Sequence, residues 1–163
     1  MKEKILSVER AAAIASELRA SGRKLAFTNG CFDLLHVGHV RYLAAARALG
    51  DALLVAINGD AAVQALKGAG RPINRAADRA EVVAALECVD HVVIFQEVRA
   101  TALLEQVRPT IYVKGGDYTA ETLDPEEKRA LEKMGAEIRI VPFEAGYSTS
   151  SLLIRKAPGT EPA

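Results

Sequence analysis

Residues 28–39 read Thr-Asn-Gly-Cys-Phe-Asp-Leu-Leu-His-Val-Gly-His. This stretch follows the apolar run at residues 25–27 and leads into a helix-forming segment, residues 40–49, that ends at Gly50. A short strand, a turn and a helix closed by glycine are typical of a βα unit. The stretch therefore predicts the first strand-to-helix turn of an α/β fold.

Two of the three histidines of the chain, His36 and His39, lie in this turn. Imidazoles three residues apart on a first helical turn share one face, so both can reach the same ligand. Gly38 between them lets a ligand approach the backbone, and the free N–H groups at a helix start favour an anion. A single histidine here would usually be a helix cap or a surface residue, but a pair around a glycine predicts a phosphate site.

A zinc site is the alternative for the same residues, because Cys31, His36 and His39 can be drawn as three ligands. Zinc needs a fourth ligand and a deprotonated thiol, and the spacing matches no usual zinc finger. We rank zinc below phosphate.

Composition limits the class of protein. The chain has 163 residues, which predicts one domain with a sizeable core. Its 21 basic and 21 acidic residues balance, so no overall positive field favours nucleic acid. We find no apolar run long enough for a membrane span and no signal-peptide core at the N-terminus. Two cysteines give no disulfide framework, and we expect a cytoplasmic protein.

Five apolar runs predict strands, and helix-forming segments separate them. The predicted strands are residues 24–28, 51–58, 91–95, 110–114 and 137–141. Ser7, Asp60 and Asp124 are the predicted N-caps of three helices, and a proline follows Asp124. The pattern predicts an α/β fold, a single Rossmann-like, doubly wound, five-stranded parallel sheet with helices on both faces.

Polar motifs follow the ends of several predicted strands. They are residues 28–30, 58–60 and 114–117, and residues 147–150 follow the last strand after a short loop. Open α/β sheets bind ligands at the carboxyl ends of their strands. We therefore expect these motifs to converge on one site.

The strings GCFD at residues 30–33 and HVGH at residues 36–39 resemble the HxGH signature of the cytidylyltransferase-like nucleotidyltransferases. The string KGGDY at residues 114–118 is similar to that of the D-glycero-β-D-manno-heptose 1-phosphate adenylyltransferases of lipopolysaccharide core synthesis. The resemblance covers residues 24–156, the expected nucleotidyltransferase domain. We expect an N-terminal helix at residues 1–23 to pack on this domain and a flexible tail at residues 157–163 to follow it. Gly59 and Tyr147 depart from the family pattern.

Cations and hydroxyls elsewhere in the chain are candidates for the triphosphate. Lys67 is either a phosphate ligand, as the resemblance implies, or a solvated helix end. Arg71 lies in a glycine-containing loop and is the better candidate, whereas Arg75 and Arg79 either bind phosphate or face solvent. Hydroxyls at residues 148–151 open the last predicted helix, where they cap it or bind phosphate. The resemblance favours phosphate.

The resemblance implies a role for each matching residue. Catalytic roles fall on His36, His39 and Lys67. Nucleotide-binding roles fall on Thr28, Asn29, Gly30, Cys31, Phe32, Gly38, Arg71, Ser148, Thr149 and Ser150. Substrate-binding roles fall on Asp33, Lys114, Gly115, Gly116 and Asp117. Lys114 would pair with the sugar phosphate, and Asp33 would accept hydrogen bonds from sugar hydroxyls.

The implied reaction transfers AMP from ATP to a sugar 1-phosphate and releases pyrophosphate. Mg²⁺ is expected with the triphosphate and is held mostly by phosphates. The resemblance also implies a homodimer, and a stand-alone form for which a sugar kinase and a phosphatase are separate partners. Two alternatives stay open. One is a cytidylyltransferase acting on an alcohol phosphate such as glycerol 3-phosphate, and the other is a nucleotide-binding module without turnover.

Overall fold

Six parallel strands form one sheet in the computed structural model, which describes residues 1–116, 119 and 122–142. The strands are β1 (Ile5–Leu6), β2 (Leu25–Gly30), β3 (Ala52–Asn58), β4 (His91–Phe95), β5 (Ile111–Gly115) and β6 (Glu137–Val141). Their order in the sheet is β1-β4-β3-β2-β5-β6. The prediction of five strands was wrong by one, because β1 has only two residues and pairs at the edge with Val92 and Val93. A strand that short carries no readable alternation.

Six helices within the described part of the chain cover the sheet. They are α1 (Val8–Ala20), α2 (Val37–Arg47), α3 (Asp60–Lys67), α4 (Ala76–Ala84), α5 (Thr101–Val107) and α6 (Pro125–Met134), and a 3₁₀ turn at Lys2–Lys4 precedes β1. Two predicted N-caps are confirmed: Ser7 accepts from the N–H of Arg10, and Asp124 accepts from those of Glu126 and Glu127. The third is wrong, because Gly59 is the N-cap of α3 and Asp60 is its first residue.

The helices form two layers, one on each face of the sheet. Residues of α1, α5 and α6 make one apolar cluster with alternate sheet residues such as Phe27 and Tyr112. Residues of α2 and α4 make the second cluster with the residues that point the other way, such as Ala26 and Val113. Strands buried on both faces need apolar residues at almost every position, and all seven residues of β3 are buried. The predicted doubly wound α/β class is confirmed.

The strand order reverses at β2, which pairs with β3 on one side and with β5 on the other. Such a reversal opens a crevice at the carboxyl ends of the two central strands. Gly30 ends β2 and Gly115 ends β5, so the crevice lies beside the turn at residues 28–39. Over the described ranges, every helix is too short or too polar to cross a lipid bilayer.

Candidate active site

The turn between β2 and α2 brings the two histidines into contact. His36 is the N-cap of α2, and His39 is its third residue. The backbone N–H of His36 donates to Nδ1 of His39 at 3.4 Å, and the two ring centroids are 3.9 Å apart. The ring of Phe32 packs on His39 with a centroid distance of 5.6 Å. Phe32 has a φ of 47°, in the left-handed region that side chains other than glycine rarely adopt.

Both histidines favour the neutral state in the ligand-free protein. Burial, and to a smaller extent the charge repulsion of the neighbouring His36, together lower the pKa of His39 to about 4. Burial also lowers the pKa of His36. Because Nδ1 of His39 accepts a hydrogen bond, its neutral ring carries the proton on Nε2, which can donate to a ligand.

A cavity of about 640 Å³ opens beside this turn at the carboxyl edge of the sheet. Ten of the predicted site residues line it: Asn29, Gly30, Cys31, Phe32, Asp33, His39, Lys67, Arg71, Lys114 and Gly115. The convergence predicted for the ends of the first and fourth predicted strands is therefore present, and Asn58 at the end of β3 joins it.

Other predicted site residues lie elsewhere. Among the described residues, Thr28, His36, Gly38 and Gly116 are not in the cavity wall. The hydroxyl of Thr28 is buried and lies 2.8 Å from that of Tyr42, which donates to the carbonyl of Val113. Asp117, Ser148, Thr149 and Ser150 lie outside the described residues.

The carboxylate of Asp33 holds the loop that carries Arg71. Nε of Arg71 donates to Oδ2 at 2.6 Å, and the backbone N–H groups of Ile73 and Asn74 donate at 2.9 Å. Burial alone would raise the pKa of Asp33, but these N–H groups and the guanidinium together lower it below its ordinary value. We expected Asp33 to accept from sugar hydroxyls, and the structure gives it protein donors instead.

Arg79 neither faces solvent nor lines the cavity. Its side chain is 1% exposed. It donates to the backbone carbonyls of Cys31 and Asn74 and to the carboxylate of Asp60. Arg79 therefore ties the turn after β2 to the loop before α4. Arg75, four residues earlier in the sequence, is exposed.

Two lysines line the cavity among the residues that the structure describes, Lys67 and Lys114. Lys67 is exposed at the end of α3. Lys114 is partly buried, and its Nζ lies 3.4 Å from the hydroxyl of Tyr112. Burial lowers the pKa of Lys114, while Glu127 and Asp124 oppose that effect.

Several lining residues were not among the predicted site residues: Tyr42, Asn58, Leu66, Val98, Arg99, Leu123, Asp124 and Glu127. Glu127 is the most unexpected of them, because it is a buried carboxylate. An acid in the first turn of a helix is ordinary in sequence, so nothing marked Glu127 as a cavity residue. Asn58 belongs to the polar motif at residues 58–60, at the end of a predicted strand. That position could have identified it as a cavity residue.

A metal centre does not form here from the described residues, which contain no group of three or more His, Cys, Asp or Glu side chains arranged to hold an ion. Burial raises the pKa of the Cys31 thiol, although Lys67 and Arg79 oppose the shift. Burial therefore favours the thiol form of Cys31, and zinc would have to displace its proton in order to bind.

Several known proteins are similar to this chain in sequence. Bifunctional protein HldE of Geotalea uraniireducens is 46% identical over 157 residues, which are 96% of this chain and 32% of that protein. The protein of the same name from Geobacter metallireducens is 45% identical over 160 residues, again 32% of its length. The chain thus spans about a third of the length of these relatives.

A solved structure, the lipopolysaccharide core biosynthesis protein from Thermoplasma volcanium GSS1, is 28% identical with a TM-score of 0.61. The match covers 76% of this chain and 98% of that one. The family model described as Cytidylyltransferase-like matches residues 27–157, which include most of β2, the histidine turn and the carboxyl edge of the sheet. Because this match takes in most of the sequence and the whole of the described cavity, the chain belongs to the cytidylyltransferase-like family.

Proposed function

We propose that the chain is an adenylyltransferase that joins AMP from MgATP to a sugar 1-phosphate, D-glycero-β-D-manno-heptose 1-phosphate, and yields ADP-heptose and pyrophosphate. The observation that carries the proposal is the cavity at the carboxyl edge, where His39 lies with the cations Lys67, Arg71 and Lys114. Family membership supports nucleotidyl transfer. The KGGDY string and the 45–46% identity to the two HldE proteins support the sugar class.

The reaction needs no covalent nucleophile from the protein. An oxygen of the acceptor phosphate attacks the α-phosphorus of ATP, and the bond from that phosphorus to the bridging oxygen breaks as pyrophosphate leaves. The protein must hold two polyanions in line and stabilise the charge on the transferring group. One well-placed donor at a developing oxyanion contributes about 3–4 kcal/mol.

His39 is suited to that donation, because its Nε2 carries the proton when Nδ1 accepts from the backbone of His36. His36 then acts as the residue that orients His39 at the start of α2. Lys67 and Arg71 would contact the β- and γ-phosphates, with Arg71 held in place by Asp33. We keep Ser148, Thr149 and Ser150 as proposed triphosphate ligands.

The remaining assignments follow from position. Asn29, Gly30, Cys31 and Phe32 line the cavity at the turn after β2 and would contact the nucleotide. Thr28 and Gly38 would support that turn rather than touch the nucleotide. Lys114, Gly115, Gly116 and Asp117 would serve the acceptor.

Mg²⁺ would enter as part of the MgATP substrate, held by the phosphates. Within the described part of the wall, the two aspartates are already engaged: Asp33 by the Arg71 loop, and Asp124 by Arg99 and the start of α6. We therefore name no protein ligand for the ion.

We extend the proposal to the assembly and its pathway: a homodimer, supplied with sugar 1-phosphate by a kinase and a phosphatase. Light scattering on the purified chain tests the dimer.

Pyrophosphate release tests the reaction. ATP and CTP are each combined with heptose 1-phosphate, with glycerol 3-phosphate and with no acceptor. We expect release only from ATP with the heptose phosphate, and we expect His39→Asn to lower kcat by at least about 100-fold. The matched control is His91→Asn, since His91 begins β4 at the opposite edge of the sheet. Release from CTP with glycerol phosphate would favour the alcohol-phosphate alternative, and no release from any mixture would refute both.

A further inference from the structure

Three carboxylates lie in the wall of the cavity as the described residues form it: Asp33, Asp124 and Glu127. A carboxylate has about four acceptor positions on its two oxygens. Asp33 uses its positions on Arg71, Ile73 and Asn74. Asp33 therefore has little capacity left to accept hydrogen bonds from a ligand, and the same holds for Asp124.

Asp124 has both of its oxygens engaged. Oδ1 accepts from the backbone N–H groups of Glu126 and Glu127, which is the capping contact of α6. Oδ2 pairs with Nε of Arg99 at 3.0 Å. This carboxylate is therefore committed to the start of the helix and to one arginine.

Glu127 has a smaller set of partners, although it is only 5% exposed. Its Oε1 accepts from the backbone N–H of Ala100 at 2.9 Å, and its Oε2 lies 3.2 Å from the hydroxyl of Tyr112. About two of its four acceptor positions are used. Among the three carboxylates of the described wall, Glu127 has the most capacity to accept hydrogen bonds from a ligand.

The groups around Glu127 form a mixed set of donors and acceptors. The Tyr112 hydroxyl also lies 3.0 Å from Oδ1 of Asn29 and accepts from Nζ of Lys114 at 3.4 Å. A tyrosine hydroxyl has a single hydrogen, so it cannot donate to Asn29 and Glu127 at once. The Tyr112 hydrogen can therefore serve only one of these two acceptors at a time. A hydroxyl group of a bound ligand can donate to the other.

The two ends of the cavity differ in chemistry. His39 lies on α2, and the Asp33–Arg71 pair lies beside α4, on the face of the sheet that α2 and α4 cover. Glu127 lies on α6, on the opposite face. A buried negative charge disfavours a nearby phosphate and favours neutral hydroxyl donors. The α6 end therefore suits the polyhydroxylated part of a ligand.

We propose that Glu127 is a specificity-determining residue whose carboxylate accepts hydrogen bonds from the hydroxyl groups of the sugar acceptor. Lys114 lies beside it as a donor to the same sugar, and Tyr112 holds Oε2 in orientation. The inference rests on the proposed function, because it assigns part of that site to the sugar. We first expected Asp33 to accept hydrogen bonds from the sugar hydroxyls. The inference assigns that role to Glu127, which has acceptor positions left for it.

The first test uses the wild-type protein with MgATP and a series of sugar 1-phosphates that each lack one hydroxyl. A hydrogen bond to a charged group contributes about 1.5–3 kcal/mol, so removal of the recognised hydroxyl should lower kcat/KM at least about 10-fold. If no deoxy analogue loses more than about 3-fold, the inference is refuted whatever the variants do. If the wild-type protein transfers AMP to no sugar phosphate, the proposed function fails and the inference fails with it.

The second test compares Glu127→Gln with Glu126→Gln, a neighbour on the same helical turn whose side chain is 58% exposed. Glu127→Gln should lower kcat/KM for the intact sugar phosphate about 10-fold and leave the KM for MgATP unchanged. It should also reduce the penalty of the critical deoxy analogue to less than about 3-fold. Glu126→Gln should change none of these values.

A purely structural role for Glu127 predicts a different result. Both substrates would then be affected together, and the deoxy penalty would keep its wild-type size, which would overturn the inference. Tyr112→Phe gives an independent variant if Glu127→Gln does not fold. It removes the hydroxyl beside Oε2 and should reduce the deoxy penalty, and an unchanged penalty would count against the proposal.

Discussion

His39 illustrates how a single residue can respond to its substrate. In the ligand-free protein its pKa is lowered to about 4, because the ring is buried and His36 lies against it. A triphosphate placed beside the ring supplies the opposite electrostatic effect and raises the pKa. Protonation of Nδ1 gives up the 3.4 Å hydrogen bond from the N–H of His36, but the imidazolium attracts phosphate more strongly than the neutral ring does, so ATP affinity should rise as the pH falls from 7 towards 5.

Proton uptake on ATP binding measures this coupling. Calorimetric titration with MgATP at pH 6, in two buffers of different ionisation enthalpy, gives the number of protons taken up. We expect the wild-type protein to take up more protons than His39→Asn, by up to about one per site. The uptake measured with His39→Asn contains the ionisation of the nucleotide itself, and it is subtracted from the wild-type value. Equal uptake by the two proteins would show that His39 does not sense the phosphates.

Asp33 and Arg71 should act as one unit, because they share a hydrogen bond of 2.6 Å in which Asp33 is almost fully buried. We expect Asp33→Asn to lower kcat/KM for MgATP about 10-fold, since Arg71 loses a charged partner. The double variant Asp33→Asn with Arg71→Met should be no worse than Arg71→Met alone. Steady-state kinetics on the three variants tests this. Additive losses, or a loss confined to the sugar phosphate, would contradict the assignment.

Positions in the cavity wall were predictable where a short motif carried them, as for His39, Arg71 and Lys114. The partners of those residues were not, because they come from distant parts of the chain. Asp33 meets a loop about forty residues away, and Glu127 reaches the cavity through α6. No local spacing encodes such contacts.

At the scale of elements, α4 is fixed to the histidine turn by one buried arginine. Arg79 donates to the carbonyls of Cys31 and Asn74 and to Asp60, and its side chain is 1% exposed. Arg79→Met should therefore lower the free energy of unfolding by about 3 kcal/mol, because buried acceptors lose their donor. Urea denaturation at neutral pH measures the change.

Arg75→Met is the matched control for this prediction. Arg75 precedes α4 and is exposed, so its replacement should change the free energy of unfolding by less than about 0.5 kcal/mol. Equal effects of the two substitutions would mean that the buried contacts of Arg79 do not stabilise the protein.

Helix ends were predictable where a side chain caps them, as Ser7 and Asp124 do. Asp60 misled the prediction because it has the composition of a cap, yet its carboxylate accepts from Arg79 and from the N–H of Ala76. A long-range partner therefore decided its role. The two-residue β1 was missed because it depends on pairing with β4 and has no pattern of its own.

At the scale of the whole molecule, the order of the strands creates the site. Apolar runs predict that strands exist, but they do not tell which strands are neighbours. The reversal at β2 follows from the pairing of β2 with both β3 and β5. It places the turn after β2, the end of β5 and the start of α6 around one cavity. A ligand that fills this cavity contacts elements from most of the chain, so its binding should stabilise the fold as a unit.

Thermal unfolding in the presence of nucleotide tests this coupling and the choice of base together. A ligand at 100 times its Kd stabilises the native state by about 2.7 kcal/mol, which corresponds to a Tm increase of about 5–10 °C for a chain of this size. We expect that increase with MgATP and a clearly smaller one with MgCTP at the same concentration. Lys67→Met should reduce the MgATP shift, because Lys67 lines the cavity. Lys133→Met, at an exposed lysine near the end of α6, should leave it unchanged. An equal or larger shift with MgCTP would mean that the base pocket does not prefer adenine, and the cytidylyl alternative would then replace the adenylyl proposal.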